Sequence, residues 1–318
     1  MIVNHSLVCL LHNDPLTRGS FRNVTLSKIR SMSNEAARSF LKELYLENVS
    51  RLHTLLDYLK RIHVTSYRVS SSLFPMMTHP EYIVIAKDIF EDVVFDKLKS
   101  YDYSSFELST HPGQFTMLTS LREDVNDMSI IELNMWGEIS RYLPIDVINI
   151  HGGARSLGFD HHRKLFNSNF AKLTQRTAGR LSLENDEKSY NASEILLMCQ
   201  DVGCMMVYDF HHQRCFEKRS KDISIEEVDL QNFEIICSAV QTYKTATPLF
   251  HLSSPKSGWR SGGFKDWCAH ADFIDIQDYP TSTLTHPDFR SLSYSMRLDI
   301  EAKHKQLALA KLIMDLTI

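Results

Sequence analysis

The sequence lacks the features that mark membrane and secreted proteins. No apolar stretch reaches the roughly 20 residues that a membrane-spanning helix needs. The first residues, MIVNHSLVCLLHND, carry no cationic segment, and His5 interrupts their apolar run; they predict a first strand and not a signal peptide. The six cysteines form no C-x-x-C pair, which argues against a cysteine-based metal site. We therefore expect a cytoplasmic protein with reduced cysteines and no membrane contact.

The chain also lacks an overall basic charge and the glycine-rich motifs of nucleotide-binding folds. Its 35 Lys and Arg against 39 Asp and Glu leave a net charge of -4, which excludes a uniformly basic coat but not a local basic surface. No G-x-G-x-x-G sequence or P-loop supports an open doubly wound sheet. Repeats, low-complexity stretches and long Pro/Gly/Ser linkers are absent too, which favours one domain over residues 1–318.

Short apolar segments alternate with longer amphipathic ones. Leucines at helical spacing predict a helix over 35–63, Asn191-x-x-Glu194 matches a capping box, and residues 301–318 read as a closing helix. Eight strands are predicted, at residues 2–10, 65–70, 105–110, 146–150, 180–183, 204–208, 247–250 and 295–300. Eight strand–helix units in a chain of this length predict an α/β fold, the (β/α)8 TIM barrel.

Six successive predicted strands run directly into a histidine or a carboxylate. In chain order these residues are His111, His151, Glu184, Asp209, His251 and Glu301. One such residue would most simply be an isolated hydrogen-bonded group, but six of one chemical type are hard to explain that way. Strand ends in a barrel meet on the face where barrel enzymes keep their active sites. Imidazole with carboxylate suits zinc, manganese or iron, and crowded carboxylates need cations to offset their repulsion. The pattern predicts a metal centre.

The motifs HPGQF, NIHGGA, LENDEKSY, VYDFHH, HLSSPK and IEAKHK occur in that order. In combination they make the chain, from about Leu7 to Lys305, resemble the UV damage endonuclease family of TIM-barrel DNA-repair nucleases. The resemblance implies two or three divalent cations, manganese first, with zinc, magnesium or cobalt as alternatives. It also implies that Glu184, Asp209 and Glu301 are the catalytic carboxylates.

The resemblance further implies how the ligands are shared. One cation would be held by His111, His151 and Glu184. Glu184 would bridge to a second cation, which Asp209, His251 and Glu301 also bind. A third would be held by His212 and His270, whereas His211 would be structural. His79, in FPMMTHP, matches a family histidine near the site but reads equally well as a loop histidine.

Damaged double-stranded DNA is the partner that the resemblance implies, with cleavage of the phosphodiester 5′ to a UV photoproduct by a monomer. Gln114 and Phe115 match the pair that probes the damage. Two segments at the same face are basic by composition: 213–221 has four basic residues against one acid, and 255–265 has three and no acid. Cations and an aromatic ring suit phosphate contact and base stacking. The candidate DNA contacts there are Arg214, Lys218, Arg219, Lys256, Trp259 and Arg260.

The sequence departs from the family pattern at two positions. Leu249 stands where relatives have a lysine that is modified to a carbamate near the metals, and Leu7 stands where they have a tyrosine. We expect Leu249 to leave a slower or more permissive site. Three alternatives stay open: an apurinic-site endonuclease without preference for photoproducts, a metal-dependent sugar isomerase or epimerase, and a DNA-damage binder without turnover. The basic loops disfavour a sugar, and the complete ligand set disfavours a mere binder.

Overall fold

Eight parallel strands close into a barrel in chain order in the computed structural model, which describes residues 1–13, 21–113 and 115–317. The strands are β1 Ile2–Cys9, β2 Ser66–Ser70, β3 Glu107–His111, β4 Ile145–His151, β5 Leu181–Glu184, β6 Met205–Asp209, β7 Leu249–Leu252 and β8 Ser295–Ile300. Every predicted strand overlaps the observed one, and β8 pairs with β1 to close the ring. The predicted TIM barrel is confirmed.

Helices follow the strands and cover the outside of the barrel. Within the described residues the α-helices are α1 Leu26–Arg30, α2 Asn34–Arg61, α3 Ile83–Ile89, α4 Phe95–Lys99, α5 Glu123–Ile139, α6 Phe159–Phe170, α7 Gln175–Ala178, α8 Ala192–Val202, α9 Phe210–Lys218, α10 Ile225–Gln231, α11 Phe233–Gln241, α12 Phe264–Trp267, α13 Thr281–Thr285, α14 Pro287–Ser291 and α15 Lys305–Thr317. A π-helical turn at Phe90–Val94 joins α3 to α4, and 3₁₀ turns lie at Ser71–Leu73 and Ile276–Asp278. In the part of the chain that the structure describes, no helix has the length and apolar character needed to cross a bilayer.

The local signals read from the sequence produce the predicted elements. The leucine stripe of α2 is buried in the apolar core that the strands share. Both halves of the capping box form at α8: the Asn191 side chain accepts from the Glu194 backbone N–H at 3.0 Å, and the Glu194 carboxylate accepts from the Asn191 backbone N–H. The closing helix α15 begins at Lys305, four residues later than predicted. A large apolar core lies between the sheet and the helices.

The inside of the barrel is part apolar and part polar. Val147, Met205, Val207 and Leu249 form a small buried cluster of their own. Because alternate strand residues share a face, Val207 and Leu249 lie one layer below Asp209 and His251. The barrel therefore supports the candidate ligands on packed side chains and not on a water-filled channel.

Candidate metal centre

The six predicted strand-end residues come together at the carboxyl end of the barrel. Strand register aligns His151 with Glu184 and Asp209 with His251. Two overlapping groups have ligand atoms that all lie within 4.8 Å of one another: His111, His151 and Glu184 form one, and Glu184, Asp209 and His251 form the other. Glu184 belongs to both groups, so its two carboxylate oxygens can serve two neighbouring positions.

The distances show how closely Glu184 and His251 are surrounded. His111 Nε2 lies 3.4 Å from Glu184 Oε2, and His251 Nδ1 lies 3.1 Å from Glu184 Oε1. His251 Nδ1 is also 3.3 Å from Glu301 Oε1 and 3.9 Å from Asp209 Oδ2. One imidazole nitrogen thus faces three carboxylates.

His212 and His270 lie at the edge of this cluster. His212 Nδ1 is 3.3 Å from Glu184 Oε1, and His270 Nδ1 is 3.6 Å from Glu301 Oε2. Their ring centroids are 6.2 Å apart. Glu187 Oε2, 3.8 Å from His212 Nε2, is a further acid here that sequence reasoning missed; its place in LENDEKSY, three residues after Glu184, was the available signal.

The fit of the site to cations can be judged from its orphaned polar atoms. Asp209 Oδ2, His151 Nδ1 and His251 Nδ1 are buried and have no hydrogen-bond partner of good geometry, although His251 Nδ1 lies 3.1 Å from Glu184 Oε1. A buried polar atom without a partner costs on the order of 1–3 kcal/mol, and most are satisfied in folded proteins. Mixed imidazole and carboxylate donors are the set that binds zinc-like and manganese-like cations. These buried groups could therefore hold a metal.

The electrostatics of the cluster keep ligands in the forms that bind cations. Burial raises the pKa of Glu184, but His251 and His151 outweigh it and hold that pKa well below the usual carboxyl range. Burial likewise raises the pKa of Glu301, but Arg68 and His251 outweigh it and hold that pKa well below the usual carboxyl range. Burial lowers the pKa of His151 to about 4, so this imidazole is neutral near pH 7 and its lone pair is free to bind.

At two other ligands, Asp209 and His251, burial and neighbouring charges shift the pKa away from the form that binds a cation. Burial raises the pKa of Asp209, even though His212 opposes the change. The pKa of His251 is raised to about 9, because Glu184 and Glu301 outweigh its burial. The Asp209 shift thus comes first from burial, whereas the His251 shift comes from the carboxylates beside it. A divalent ion bound among these groups would favour the ionised carboxylate and the neutral imidazole.

Hydrogen bonds from neighbouring side chains orient the ligands. Asn149 donates to Glu184 Oε2 and accepts from the Ser182 hydroxyl at 2.8 Å. Asn185 bonds both ways with the Asp209 backbone, accepting at 2.9 Å and donating at 3.0 Å. Such outer contacts fix the direction of a ligand's lone pairs. Asn149, within NIHGGA, was not singled out from the sequence.

The abrupt end of β6 follows from the N-cap of α9. Asp209 Oδ1 accepts from the His212 backbone N–H at 2.7 Å, so the last strand residue is also the N-cap of the helix. No turn residue is needed between them, because the cap supplies the change from extended to helical backbone. The junction brings His212 into the first turn of the helix, beside Glu184.

Two glycines after β4 give its carboxyl end room to turn. A Cβ atom on Gly152 would lie 2.6 Å from Tyr190 Cδ2. Gly153 has φ +85°, and a Cβ there would lie 2.5 Å from Thr119 Oγ1. Glycine is the residue that fits both the close approach and the left-handed backbone. The HGG motif thus lets His151 face the cluster while the chain leaves the strand.

The predicted DNA contacts differ in where the structure places them. Arg219, Lys256 and Arg260 are exposed. Lys218 is half-buried and donates to the Ile223 carbonyl at 2.6 Å. Trp259 is half-buried, and its indole N–H donates to Asp278 Oδ1 at 2.7 Å.

For Arg214, the structure contradicts the predicted contact with DNA. It is 1% exposed, forms a bidentate ion pair with Asp229 at 2.6 and 3.0 Å, and donates to the Asp278 carbonyl at 2.7 Å. The segment 213–221 begins inside α9, whose inner face packs against α10. A guanidinium held in this way is not on a surface that DNA can reach.

The remaining candidates lie in loops. Phe115 is 76% exposed, whereas Gln114 lies outside the described residues. His79 is half-buried beside its own neighbours: its Nδ1 accepts from the Glu81 backbone N–H at 3.3 Å, and its ring lies 5.5 Å from that of Tyr82. These contacts hold His79 in a loop, and its place near the site stays a prediction.

Fold and site together define a (β/α)8-barrel protein whose carboxyl face carries a histidine-and-carboxylate cluster able to hold divalent cations. A family model described as UV-endonuclease UvdE matches residues 5–318 of this chain. The chain belongs to the UV-endonuclease UvdE family, and that membership makes it a DNA-repair endonuclease. The resemblance read from the motifs is confirmed.

Individual relatives and structures agree with this placement. The chain is similar to the UV DNA damage endonuclease of Bacillus mycoides (strain KBAB4), with 27% identity over 303 residues, which are 93% of this chain and 89% of the relative. Its structure is similar to that of SacUVDE, with a TM-score of 0.76 and 23% identity over 100% and 98% of the two chains. Endonuclease IV from Thermus thermophilus has a TM-score of 0.52 and 11% identity, covering 99% and 97%. At these identities, the two structural similarities show only that the fold is shared.

Proposed function

We propose that this protein hydrolyses the phosphodiester immediately 5′ to UV photoproducts, and to other distorting lesions or abasic sites, in duplex DNA. The observation that carries the proposal is the sharing of Glu184 by two donor groups within 4.8 Å, at the carboxyl face of a chain in the UV-endonuclease family. We take it to be a single-domain protein of the cytoplasm. We also take it to act as a monomer, because duplex DNA must reach the barrel face.

Two or three divalent cations, manganese first, are the proposed cofactors. His111, His151 and Glu184 would hold one, Glu184, Asp209, His251 and Glu301 a second, and His212 with His270 a third. Bound there, such cations supply Lewis-acid stabilisation of the charge that develops on the phosphate. The chain's own part is to keep Glu184 and Glu301 ionised and His151 neutral, as the directions of their pKa values indicate.

We place the DNA on the carboxyl face of the barrel, across the loops after β6 and β7. Arg219, Lys256 and Arg260 are the exposed cations there, and Lys256 lies beside His270 because its backbone N–H donates to the Ala269 carbonyl at 2.7 Å. Phe115 presents an exposed ring after the His111 turn. A planar side chain can occupy the gap left when damaged bases unstack, at less cost than in intact DNA.

A nicking assay tests the function. End-labelled duplexes with a thymine photoproduct, an abasic site or no lesion are incubated with Mn²⁺ and the wild type or Glu184→Gln. Exposed Glu123→Gln, at the start of α5, is the matched control. We expect cleavage 5′ to the photoproduct by the wild type and the control, and none by Glu184→Gln. Cleavage at the abasic site alone would assign an apurinic-site endonuclease, and no cleavage by a metal-loaded wild type would refute the nuclease.

Leu249 provides a second test of the same proposal. Its side chain is fully buried with Val147, Met205 and Val207, one layer below His251. We propose that the apolar residue makes the site slower or more permissive than one with lysine there. Leu249→Lys should then change turnover or lesion selectivity, with Leu249→Met as the control for packing. Equal turnover and equal selectivity in wild type and Leu249→Lys would remove this idea.

A further inference from the structure

A carboxylate that no family motif singled out lies inside the barrel beneath the metal centre. Asp299 is on β8, two residues before Glu301, and is 0% exposed. Strand register places it opposite His251. Neither of its carboxylate oxygens has a hydrogen-bond partner of good geometry, yet both are buried. A buried carboxylate is costly unless neighbouring groups compensate it, so the groups around Asp299 indicate what it does.

The nearest imidazole, that of His251, indicates what Asp299 does. His251 Nε2 lies 3.4 Å from Asp299 Oδ2, whereas Nδ1 points the other way, toward Glu184, Asp209 and Glu301. A neutral imidazole carries its proton on one nitrogen only. If Nδ1 is to bind a cation, the proton must be on Nε2, where Asp299 can accept it. Ligand histidines in proteins almost always donate their second N–H to such an acceptor.

Arg68 links Asp299 to a second ligand. This buried guanidinium from β2 is ion-paired with Glu301 Oε1, and its Nη1 lies 3.7 Å from Asp299 Oδ2. It therefore offsets the charge of Asp299 while it contacts Glu301. Arg68 on β2 thus contacts Asp299 on β8, and Asp299 in turn contacts His251 on β7.

We infer that Asp299 is a positioning residue of the second cation site: it holds His251 with Nδ1 toward the cation, and Arg68 ties it to Glu301. The inference rests on the proposed function only in so far as His251 and Glu301 hold a cation. It predicts that loss of the carboxylate weakens the cation bound by Asp209, His251 and Glu301, and leaves the one bound by His111 and His151 unaffected.

Cation binding without DNA tests this inference. Chelator-stripped wild type, Asp299→Leu and Asp299→Asn are titrated with Mn²⁺ by calorimetry and with Co²⁺ by its visible absorption. We expect Asp299→Leu to weaken one cation site by about 10- to 100-fold. Asn retains an acceptor for Nε2–H, so Asp299→Asn should recover part of the affinity. Asp146→Asn is the control, since Asp146 accepts from buried Arg297 at 2.8 Å and lies at the start of β4, at the other end of the strand from His151.

A double-mutant cycle separates positioning from general damage to the fold. In a His251→Gln background, Asp299→Asn should have little further effect on cation affinity, because the side chain it positions is gone. Wild-type affinity in both Asp299 variants, or an undiminished effect of Asp299→Asn in the His251→Gln background, would overturn the inference. A wild type that binds no cation at all would instead refute the proposed metal centre, so the two failures are distinguishable.

Discussion

At the scale of the residue, burial sets the protonation of His5, a histidine on β1 that lies away from the metal centre. Its side chain is half-buried, and its Nε2 is 2.9 Å from the Tyr279 hydroxyl. Burial lowers the pKa of His5 to about 4 from its ordinary 6.5. Between these values the unfolded chain holds a proton that the folded protein does not. Acid therefore favours unfolding over this range, and the contribution is complete below about pH 4.

His5→Gln tests this link between pH and stability. We expect the variant to lose less stability than the wild type as the pH falls from about 6.5 to about 4. The difference is at most about 3.4 kcal/mol, because a tenfold change in proton affinity is worth about 1.4 kcal/mol. Urea titrations at several pH values measure it, and His161→Gln, at an exposed position of α6, is the control. Parallel stability curves for wild type and His5→Gln would contradict the argument.

At the scale of the element, the junction of β6 and α9 joins a structural task to a chemical one. Asp209 caps α9 through Oδ1, while Oδ2 faces His212 and His251. Asparagine caps a helix about as well as aspartate, whereas alanine costs about 1 kcal/mol at that position. The two tasks can therefore be separated by substitution.

We predict that Asp209→Asn loses cation binding but keeps wild-type stability in the presence of a chelator. Burial raises the pKa of Asp209, so the folded protein disfavours its charge, and a neutral amide of the same shape should not lower the unfolding midpoint. Asp209→Ala should lose cation binding and also about 1 kcal/mol of stability. Chemical denaturation and calorimetric Mn²⁺ titration of both variants give the comparison. If both variants lost equal stability, the capping contribution of Oδ1 would be refuted.

At the scale of the whole molecule, a cation at the carboxyl face connects several strands at once. The first proposed cation has ligands from β3, β4 and β5, and the second has ligands from β5, β6, β7 and the residue after β8. A ligand that binds only the folded state stabilises it, by about 2.7 kcal/mol at 100 times its dissociation constant. We expect saturating Mn²⁺ to raise the melting temperature of chelator-treated protein by roughly 3–6 °C.

Scanning calorimetry with and without Mn²⁺ checks this prediction. Glu184→Gln should show little or no rise, since it removes the ligand common to both donor groups, and Glu123→Gln should behave as the wild type. An identical melting temperature for wild type with chelator and with Mn²⁺ would argue against a resident cation.

The sequence by itself determined the barrel and the chemistry of its carboxyl face. Eight apolar segments separated by amphipathic ones specify strand–helix units, since hydrophobic periodicity acts locally. His111, His151, Glu184 and Asp209 could be read directly, because each ends a strand and strand ends meet on one face of a barrel. The capping box of α8 was readable for the same reason: both of its partners lie within four residues.

The tertiary structure alone decided which distant side chains meet. Arg214 looked like a DNA contact within a basic segment, but its position on the inner face of α9 places it against Asp229. Asp299 and Arg68 looked like ordinary strand residues, and only closure of β8 onto β1 brings β2 close enough for Arg68 to reach Asp299 and Glu301. A local pattern specifies which face a residue occupies. What it meets across the barrel depends on register and packing, which are properties of the whole chain.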